Sequence, residues 1–519
     1  MPARDAIPHE GGRPLLTKII ATIGPASESP GVVRGLIEAG VSVFRLNFSH
    51  GTLEDHARRL TVIRDIAREL GRPIAVMGDL QGPKIRVGRT PSGGLELAPG
   101  TDVVLRRGLA EARFEEVGGS RVAALPFEYE PLVREVRPGH RVLINDGLVR
   151  MLAVDRDEAR GELRCRVLVG GLVTSAKGIN LPDSEVSAPA LGDRDWACVE
   201  WAVRHGLDFL AMSFVRRASE VLALKARLAG MCPIDRRESE DHGAGSAIPV
   251  IAKIERPQAL RELREIVEAS DAVMVARGDL GVEMDIARVP IVQKAIVREC
   301  AEVGRPCIVA TQMLESMIEQ ASPTRAEATD VANAVFDGAG CVMLSAETAS
   351  GKRPVLAVET MRRIAQAAEE HLASLPRSPS PPPRPERART AALAHGAWHM
   401  AMDTGAQLVV CWSQSGGAAR YLSENAFPIP IIAYSSSEKA VRRMALLRGV
   451  TGVLANPPAS MRLSDWNAQV DRDLVSRGWA RQGTPIVLLA GKPLGMPRVM
   501  TMVAIHRVGE RSGFIGQDA

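Results

Sequence analysis

The sequence predicts an α/β protein: a (β/α)8 TIM barrel with an inserted small β-barrel lid domain and a C-terminal α/β domain. Three observations predict this organisation. Short apolar runs alternate with segments of helical periodicity, one long β-rich stretch interrupts the alternation, and a proline-rich segment precedes a second alternation. The chain has 519 residues, which suits about three or four domains.

The predicted barrel rests on eight apolar runs and on eight segments with helical periodicity that lie between or after them. The predicted strands are Lys18–Ile23, Val41–Leu46, Ile74–Met77, Phe209–Ser213, Val250–Ile254, Ala272–Ala276, Cys307–Ala310 and Cys341–Leu344. The predicted helices are Val32–Ala39, Leu53–Leu70, Arg194–Arg204, Ser219–Leu228, Pro257–Glu268, Pro290–Val303, Arg325–Phe336 and Pro354–Glu370. Pro257 stands at a first helical position, and Thr324 with Glu327 forms a capping box. Alternation does not prove closure, so a doubly wound sheet is the alternative.

The interruption lies between Gly88 and Lys177, where short β-like runs and glycine-rich turns replace helices. The segment Leu375–Arg389 carries six prolines and is predicted to be an extended spacer rather than a ligand of SH3-type domains. The polar segment Pro233–Ala247 is predicted to be an exposed loop without chemistry of its own. The predicted domains are an N-terminal tail (1–14), the barrel (15–87 and 178–372), the lid (88–177), a linker (373–389) and the C-terminal domain (390–519).

Composition excludes several classes of function. The 65 basic and 61 acidic residues nearly balance and aromatic residues make up only 3%, so we expect no nucleic-acid partner. No apolar run is long enough to cross a bilayer, so we expect no membrane partner either. The seven cysteines are scattered without a C-x-x-C pair. That usage is typical of a reducing compartment and predicts a cytoplasmic protein.

Polar side chains follow the predicted barrel strands, at the end where a barrel carries its active site. In chain order they are Arg45, Asn47, Ser49, His50, Asp79, Lys84, Arg86, Lys253, Glu255, Arg277, Asp279, Thr311, Gln312, Ser345 and Glu347. One such residue would mean little. Their recurrence along the barrel predicts a single active face.

Lys253 and Glu255 are two positions apart, so their side chains leave the same face of a strand. Alone, this pair would also suit a structural ion pair. Glu255 and Asp279 offer the hard oxygen ligands that magnesium prefers.

The basic residues near these carboxylates are Arg45, Lys84, Arg86, Lys177 and Lys253. They suit a polyanion held by a metal, as in phosphoryl transfer. Walker and Rossmann fingerprints are absent, so the residues predict a magnesium-dependent barrel enzyme acting on a small phosphorylated anion.

Nine motifs resemble the pyruvate kinase family. They are TKIIATIGPAS (17–27), FRLNFSHG (44–51), DLQGPKIR (79–86), KGINLP (177–182), SFVR (213–216), AKIERP (252–257), VMVARGDLGVE (273–283), ATQMLESM (310–317) and PTRAEATDVANAV (323–335). The resemblance covers the barrel in order, the lid and, more weakly, the C-terminal domain. It implies transfer of the phosphoryl group of phosphoenolpyruvate to ADP, giving pyruvate and ATP in the last step of glycolysis.

The resemblance also implies roles for matching positions. Glu255 and Asp279 would ligate Mg2+ (or Mn2+). Lys253 would stabilise charge on the transferring phosphoryl group and on the enolate, and Arg45 would bind phosphoryl oxygens. The implied carboxylate site consists of Thr311 and the N–H groups of Gly278 and Asp279. Ser345 and Glu347 resemble the family's proton-relay neighbourhood, and the proton donor stays open.

The nucleotide site implied by the resemblance consists of Asn47, Phe48, Ser49, His50, Arg86 and Lys177. Lys177 would act from the base of the lid, whose closure would exclude water from the reaction.

One departure concerns potassium, which most members of the family hold near Asn47, Ser49 and Asp79. Those members carry glutamate where this chain has Lys84. The fixed ammonium of Lys84 would supply the missing positive charge, so we expect activity without potassium. The alternative is a surface lysine beside a working potassium site.

The C-terminal domain implies regulation. Ser413–Gly417 follows a strand and begins a predicted helix, which is the geometry of an anion nest. The resemblance implies a phosphorylated allosteric effector there, and a sugar phosphate is our hypothesis. The tail 491–502 departs from the family's glycine-rich pattern, so the effector's existence and identity stay open. The family also implies a homotetramer. The alternative functions are a catalytically inactive relative and a different phosphoenolpyruvate-handling barrel, such as a C–C bond lyase.

Overall fold

The computed structural model describes residues 14–231, 247–375, 388–491, 494 and 500–510. The first 13 residues, most of the 233–247 segment, most of the proline-rich linker and part of the 491–502 tail lie outside the described residues. The predictions made for those segments, and the residue limits predicted for the domains, stay predictions.

Eight parallel strands close into a barrel, which confirms the predicted (β/α)8 fold over the doubly wound alternative. In chain order, β1 to β8 are Lys18–Thr22, Val41–Asn47, Ala75–Asp79, Phe209–Met212, Val250–Ile254, Ala272–Ala276, Cys307–Ala310 and Cys341–Leu344. The ring closes where β8 pairs with β1. Because the strands are parallel, their carboxyl ends, which carry the predicted site residues, open on one face.

The strands are buried on both sides, and alternate residues belong to two different cores. On β1, Ile20 joins the inner core of the barrel with Val43, whereas Ile19 joins the layer between strands and helices with Val33. Leu446 of the C-terminal domain closes the floor of the inner core. Burial on both faces explains why these strands are continuous apolar runs in the sequence.

Helices surround the strands. The α-helices are Pro30–Ala39, Leu53–Glu69, Asp193–Arg204, Ala218–Met231, Leu263–Ala269, Arg277–Glu283, Val289–Val303, Arg325–Phe336, Ala346–Ala349 and Pro354–Ser374, and the 3-10 helices are Pro257–Glu262, Ile286–Arg288 and Glu315–Ile318. The predicted helix from Pro257 divides in two because Glu262 (φ −119°, ψ 31°) leaves the helical region. The predicted capping box is confirmed, with the Glu327 N–H donating to Thr324 Oγ at 3.2 Å. After β6, a helix starts directly at Arg277 where only a turn was predicted.

The inserted segment is a β structure, as predicted. Its strands are Leu95–Leu97, Asp102–Arg107, Arg113–Val117, Ser120–Phe127, Arg141–Ile144, Val149–Asp157, Glu162–Val169, Gly171–Val173 and Ile179–Asn180, with one helical turn at Leu132–Glu135. Seven of them form one sheet and two form a ribbon, and both line a common apolar core. Asn180 ties the lid to the barrel, since its side chain donates to Glu283 Oε1 at 2.8 Å.

The C-terminal α/β domain contains a five-stranded sheet covered by helices. Its strands are Leu408–Trp412, Ile431–Ser435, Val450–Leu454, Pro485–Ala490 and Met502–Arg507, and its helices are Ala388–Thr404, Gly417–Glu424, Glu438–Met444 and Leu463–Ser476. The domain docks on the barrel floor, where Lys18 Nζ donates to the Val450 carbonyl at 2.7 Å. In the described ranges, no helix combines the length and apolarity needed to cross a membrane.

Candidate active site

A buried network of charges lies at the carboxyl ends of β2, β3 and β5. The Lys253 ammonium lies 2.8 Å from Glu255 Oε1 and 3.1 Å from Asp79 Oδ1. Asp79 Oδ2 in turn accepts a hydrogen bond from Arg45 Nε at 2.6 Å. The carboxylates of Asp79 and Glu255 are each only 1% exposed. Two cations and two carboxylates therefore form one chain of ion pairs across three strands.

These charges keep each other ionised. Burial alone would lower the pKa of Lys253, but the charges of Asp79 and Glu255 outweigh burial and raise it above its ordinary value. Burial alone would raise the pKa of Asp79, but the charges of Lys253 and Arg45 outweigh it and lower that pKa. The ammonium of Lys253 is therefore a fixed positive charge at the active face.

Glu255 and Asp279 form a pair of carboxylates beside this network. The Phe214 N–H donates to Glu255 Oε2 at 2.7 Å, which fixes the orientation of that carboxyl group. Burial raises the pKa of Glu255 to about 7, since the charge of Asp279 adds to the rise and Lys253 only partly opposes it. Within the described ranges, Asp279 has neither a hydrogen bond to its carboxylate nor a direct ion pair.

This pair fits a divalent metal. A cation between the two carboxylates would remove their mutual repulsion and occupy the free oxygens of Asp279. No third metal-ligating side chain joins them among the described residues. Magnesium tolerates such a site because it usually keeps several waters and shares substrate oxygens.

Gly278 and Thr311 meet at the ends of the neighbouring strands β6 and β7. The Gly278 N–H donates to Thr311 Oγ at 2.7 Å, and the Thr311 hydroxyl donates to the Ala310 carbonyl at 2.6 Å. Thr311 and Gln312 both adopt left-handed backbone conformations, with φ of 68° and 55°. The two groups expected at the carboxylate site are thus in direct contact.

Ser345 and Glu347 differ in their surroundings. Both carboxylate oxygens of Glu347 accept main-chain N–H groups, from Leu314 at 3.1 Å and from Ser345 at 2.6 Å. Glu347 therefore supports the loops after β7 and β8. Ser345 Oγ, by contrast, is buried and has no hydrogen-bond partner in the described part of the chain.

The loop after β2 holds the first part of the expected nucleotide site. Asn47 Oδ1 accepts the Ser49 N–H at 3.1 Å, and the side chain of His50 is exposed. Phe48 is different, because its side chain is only 2% exposed and its ring packs edge-on against Trp201. Phe48 can therefore reach a ligand only through its main chain.

Arg86 and Lys177 lie side by side at the base of the lid. Arg86 forms a bridge with Gly178 and donates to the Ala176 carbonyl at 2.8 Å, while the Val87 N–H donates to the Lys177 carbonyl at 2.9 Å. Among the described residues, neither side chain forms an ion pair with the network around Lys253.

Lys84 is paired with the lid. Its ammonium lies 3.8 Å from Asp146 Oδ1, and 32% of its side chain is exposed. The carboxylate of Asp79 is instead paired with Arg45 and Lys253. In this structure, therefore, no direct contact between Lys84 and Asp79 supports the expectation that Lys84 replaces potassium.

Two further groups shape the site: Ser213, which sequence reasoning missed, and Arg277, which it placed at the active end without giving it a role. Ser213 Oγ accepts a hydrogen bond from Lys253 Nζ at 2.7 Å and donates to the Leu80 carbonyl at 2.7 Å. The buried guanidinium of Arg277 donates to the Thr311 carbonyl at 2.7 Å. Both residues stand in motifs that resemble the family, SFVR and VMVARGDLGVE, so the sequence did mark these segments as functional. Which motif residue faces the site depends on strand register and on the start of a helix.

Two family models match most of the chain. The pyruvate kinase barrel domain matches residues 15–358, and the pyruvate kinase alpha/beta domain matches residues 391–506. This chain belongs to the pyruvate kinase family. Pyruvate kinases are phosphotransferases, so the chain is an enzyme of that class.

Individual pyruvate kinases align over nearly the whole chain. One from Mycobacterium tuberculosis (strain CDC 1551 / Oshkosh) is 38% identical over 493 residues, covering 95% of this chain and 98% of that protein. One from Geobacillus stearothermophilus is 38% identical over 495 residues, covering 95% and 80%. A crystal structure of a pyruvate kinase from Cryptosporidium parvum is similar with a TM-score of 0.81 at 32% identity, covering 95% of this chain and 96% of that one.

Proposed function

We propose that the chain transfers the phosphoryl group of phosphoenolpyruvate to ADP, giving pyruvate and ATP, as a magnesium-dependent glycolytic enzyme of the cytoplasm. The observation that carries the proposal is the Lys253 ammonium, held 2.8 Å from Glu255 beside the unpaired carboxylate of Asp279 in the described part of the chain. A fixed cation next to two metal-type carboxylates suits the transfer of a charged phosphoryl group.

Glu255 and Asp279 are the residues that would hold the metal. When bound, magnesium (or manganese) supplies positive charge that neutralises the phosphoryl and carboxylate oxygens of the substrate. The electrostatics of the two carboxylates support this assignment, because burial and the charge of Asp279 raise the pKa of Glu255 to about 7, and a bound cation would favour the ionised form.

The chain's own residues would then bind and orient the substrate. Arg45 would contact phosphoryl oxygens, and its Nε is already fixed by Asp79 at 2.6 Å. Thr311 Oγ and the Gly278 N–H would exchange their mutual hydrogen bond of 2.7 Å for bonds to the substrate carboxylate, with the Asp279 N–H as a further donor. Lys253 would stabilise the negative charge that develops on the transferring group and then on the enolate.

Protonation of the enolate needs a group near the reacting carbon. Ser345 would relay a proton through its hydroxyl, which is buried without a partner among the described residues. Glu347 would hold Ser345 in place through its main-chain N–H.

The nucleotide would lie between the loop after β2 and the base of the lid. Asn47, Ser49 and His50 would contact it from the barrel, with Phe48 contributing main chain only. Arg86 and Lys177 would contact it from the lid base. Closure of the lid would exclude water and so prevent hydrolysis of phosphoenolpyruvate.

We further propose that activity does not require potassium. Lys84 stands where most family members carry glutamate. Its ammonium lies on a flexible stem and would have to leave its 3.8 Å contact with Asp146 to replace potassium at the expected site of Asn47, Ser49 and Asp79. If turnover in sodium or tetramethylammonium buffer falls more than tenfold below turnover in potassium, Lys84 does not replace the ion.

The C-terminal domain would bind a phosphorylated effector at the loop before helix Gly417–Glu424. Gly416 has φ of 87° and lets the loop turn tightly there. A sugar phosphate remains the hypothesis, tested by calorimetry with several sugar phosphates and AMP.

A homotetramer is the expected assembly, which sedimentation would check.

A coupled assay with lactate dehydrogenase tests the function. Pyruvate should appear in proportion to ADP and only with magnesium present. Pyruvate formed without ADP would favour another phosphoenolpyruvate-handling enzyme, whereas no pyruvate from folded protein would favour an inactive relative.

A further inference from the structure

Two residues at the active end of the barrel hold an unfavourable backbone conformation. Thr311 (φ 68°) and Gln312 (φ 55°) follow β7 directly. The left-handed region is disfavoured for residues with a β-carbon, and for a β-branched residue such as threonine it is a genuine outlier. Two consecutive residues stay there only when surrounding contacts determine their conformation.

One buried guanidinium contacts both of the peptide groups that flank Thr311. Arg277 is buried, its Nη2 donates to the Thr311 carbonyl at 2.7 Å, and its Nε reaches the Ala310 carbonyl at 3.4 Å. These carbonyls belong to the peptide groups before and after Thr311. Holding both therefore fixes the φ and ψ of Thr311.

Arg277 is itself held from the helical layer. Its Nη1 donates to Asp330 Oδ2 at 2.6 Å on helix Arg325–Phe336 and reaches Gln293 Oε1 at 3.4 Å. A guanidinium is planar, so fixing one side with a charge-assisted hydrogen bond orients the donors on the other. Asp330 thus sets the direction in which Arg277 donates to the turn.

The fixed turn aims a side chain. With Thr311 left-handed, its Oγ lies 2.7 Å from the Gly278 nitrogen. Gly278 is the residue after Arg277. The same segment therefore supplies both the guanidinium that holds Thr311 and the N–H group that meets the Thr311 hydroxyl. The hydroxyl and the N–H converge before any substrate arrives.

We propose that Arg277, anchored by Asp330, is a positioning residue that keeps Thr311 left-handed and so aims its hydroxyl, with the Gly278 N–H, at the carboxylate of the substrate. This inference rests on the proposed function, since it assigns the carboxylate of phosphoenolpyruvate to that spot. In this proposal, Arg277 acts through Thr311 and does not itself contact the substrate.

Two variants separate positioning from folding. Asp330→Asn keeps an oxygen acceptor but removes the charge, and Arg277→Lys keeps the charge but loses the planar fork. We expect KM for phosphoenolpyruvate to rise about threefold to tenfold for Asp330→Asn and at least tenfold for Arg277→Lys, within the range known for misplaced binding groups. KM for ADP should stay within about twofold, because the proposed nucleotide contacts lie elsewhere.

Asp271→Asn is the matched control. Asp271 precedes β6 at the opposite end, and its carboxylate pairs with Lys225 at 2.9 Å. It should change the unfolding midpoint at most, with both KM values as in wild type. If Asp330→Asn raises both KM values equally, or lowers only the unfolding midpoint as the control does, Arg277 and Asp330 are merely structural and the proposal is wrong.

A second substitution tests the backbone directly. Glycine adopts positive φ without strain, so Gln312→Gly alone is the reference against which the double variant is measured. Combined with Arg277→Lys, it should recover at least threefold of the loss in KM for phosphoenolpyruvate. No recovery in a folded double variant would contradict the proposal.

Wild type in the same assay reports on the proposed function separately, since no pyruvate from it would reject that function alone. The positioning claim is then decided by a crystal structure of Arg277→Lys. We expect Thr311 and Gln312 to leave the left-handed region. Their retention at the wild-type φ values would overturn the inference whatever the activity.

Discussion

Two lysines on strands of the same barrel, one at each end, have opposite electrostatic surroundings. Lys253 on β5 has the carboxylates of Glu255 and Asp79 at 2.8 and 3.1 Å, and their charges raise its pKa despite burial. Lys18 at the start of β1 donates to the Val450 carbonyl, and burial lowers its pKa to about 8. The neighbouring carboxylate, Glu369, accepts hydrogen bonds from the hydroxyl and N–H of Thr17 instead.

The contrast shows what the fold does with charge at each end. At the proposed active face, carboxylates in contact with an ammonium keep it positive, as the proposed reaction requires. At the floor, charged groups join domains: Asp208 accepts from Arg64 of the barrel at 2.7 Å and from Arg442 of the C-terminal domain at 3.0 Å. Barrel enzymes generally separate chemistry and stability between their two ends in this way.

The largest expected effect comes from removing the active-end lysine. Lys253→Ala should lower kcat by roughly 10²-fold or more, the scale of losing one preorganised charge stabiliser. Lys18→Met is the matched control and should leave kcat within about threefold, because Lys18 touches no proposed substrate group. Steady-state kinetics on both folded variants make the comparison. Equal losses of kcat in the two variants would contradict the proposed difference between the two ends of the barrel.

The next largest effect concerns Glu255 and Asp279, the proposed metal ligands. Asp279→Asn should raise the magnesium concentration for half-maximal activity at least tenfold, because it removes one of two charged ligands. Asp285→Asn is the control: Asp285 is exposed and only caps the Ala287 N–H at 3.0 Å. Magnesium titrations of the two variants should differ. An Asp279→Asn titration that overlays wild type would remove Asp279 from the metal site.

A smaller effect sharpens the role of Lys84. Lys84→Glu should create a potassium requirement, with activity in potassium exceeding activity in sodium about tenfold, whereas wild type should be nearly indifferent. Lys352→Glu, at an exposed lysine paired with Glu319, should remain indifferent. Activity in the two salts gives the ratio. An unchanged ratio in Lys84→Glu would assign Lys84 to the lid contact alone.

The smallest effect is on stability at the floor. Between about pH 8 and 10.5 the unfolded chain keeps a proton on Lys18 that the folded chain has lost, so this group makes stability rise with pH in that window. Lys18→Met lacks this contribution. Its urea midpoint should be at or above that of wild type at pH 7, and the difference should shrink as the pH rises from 8 to 10. A gap that widens would show that Lys18 is charged without penalty.

The sequence was sufficient for features that depend on local pattern. The last four barrel strands, from Val250–Ile254 to Cys341–Leu344, have their predicted bounds, since apolar runs buried on both faces end sharply at polar residues. Lys253 and Glu255 contact each other because alternation along a strand places residues two apart on one side.

Other features depended on distant partners and could not be predicted. The left-handed Thr311 follows from the clamp of Arg277 and Asp330, which lie 34 and 19 positions away. Phe48 was expected at the nucleotide, but Trp201, far along the chain, places its ring in the core. The contact of Lys84 with Asp146 depends on how the lid sits on the barrel, which no local pattern encodes.

The most direct measurement of the claim about the active end is a crystal structure with Mn2+ and oxalate, a planar dianion shaped like the enolate of pyruvate. Anomalous scattering should place one manganese between Glu255 and Asp279, with the Lys253 ammonium against the oxalate. Manganese bound elsewhere, or the two carboxylates turned away from an empty pocket, would contradict the account.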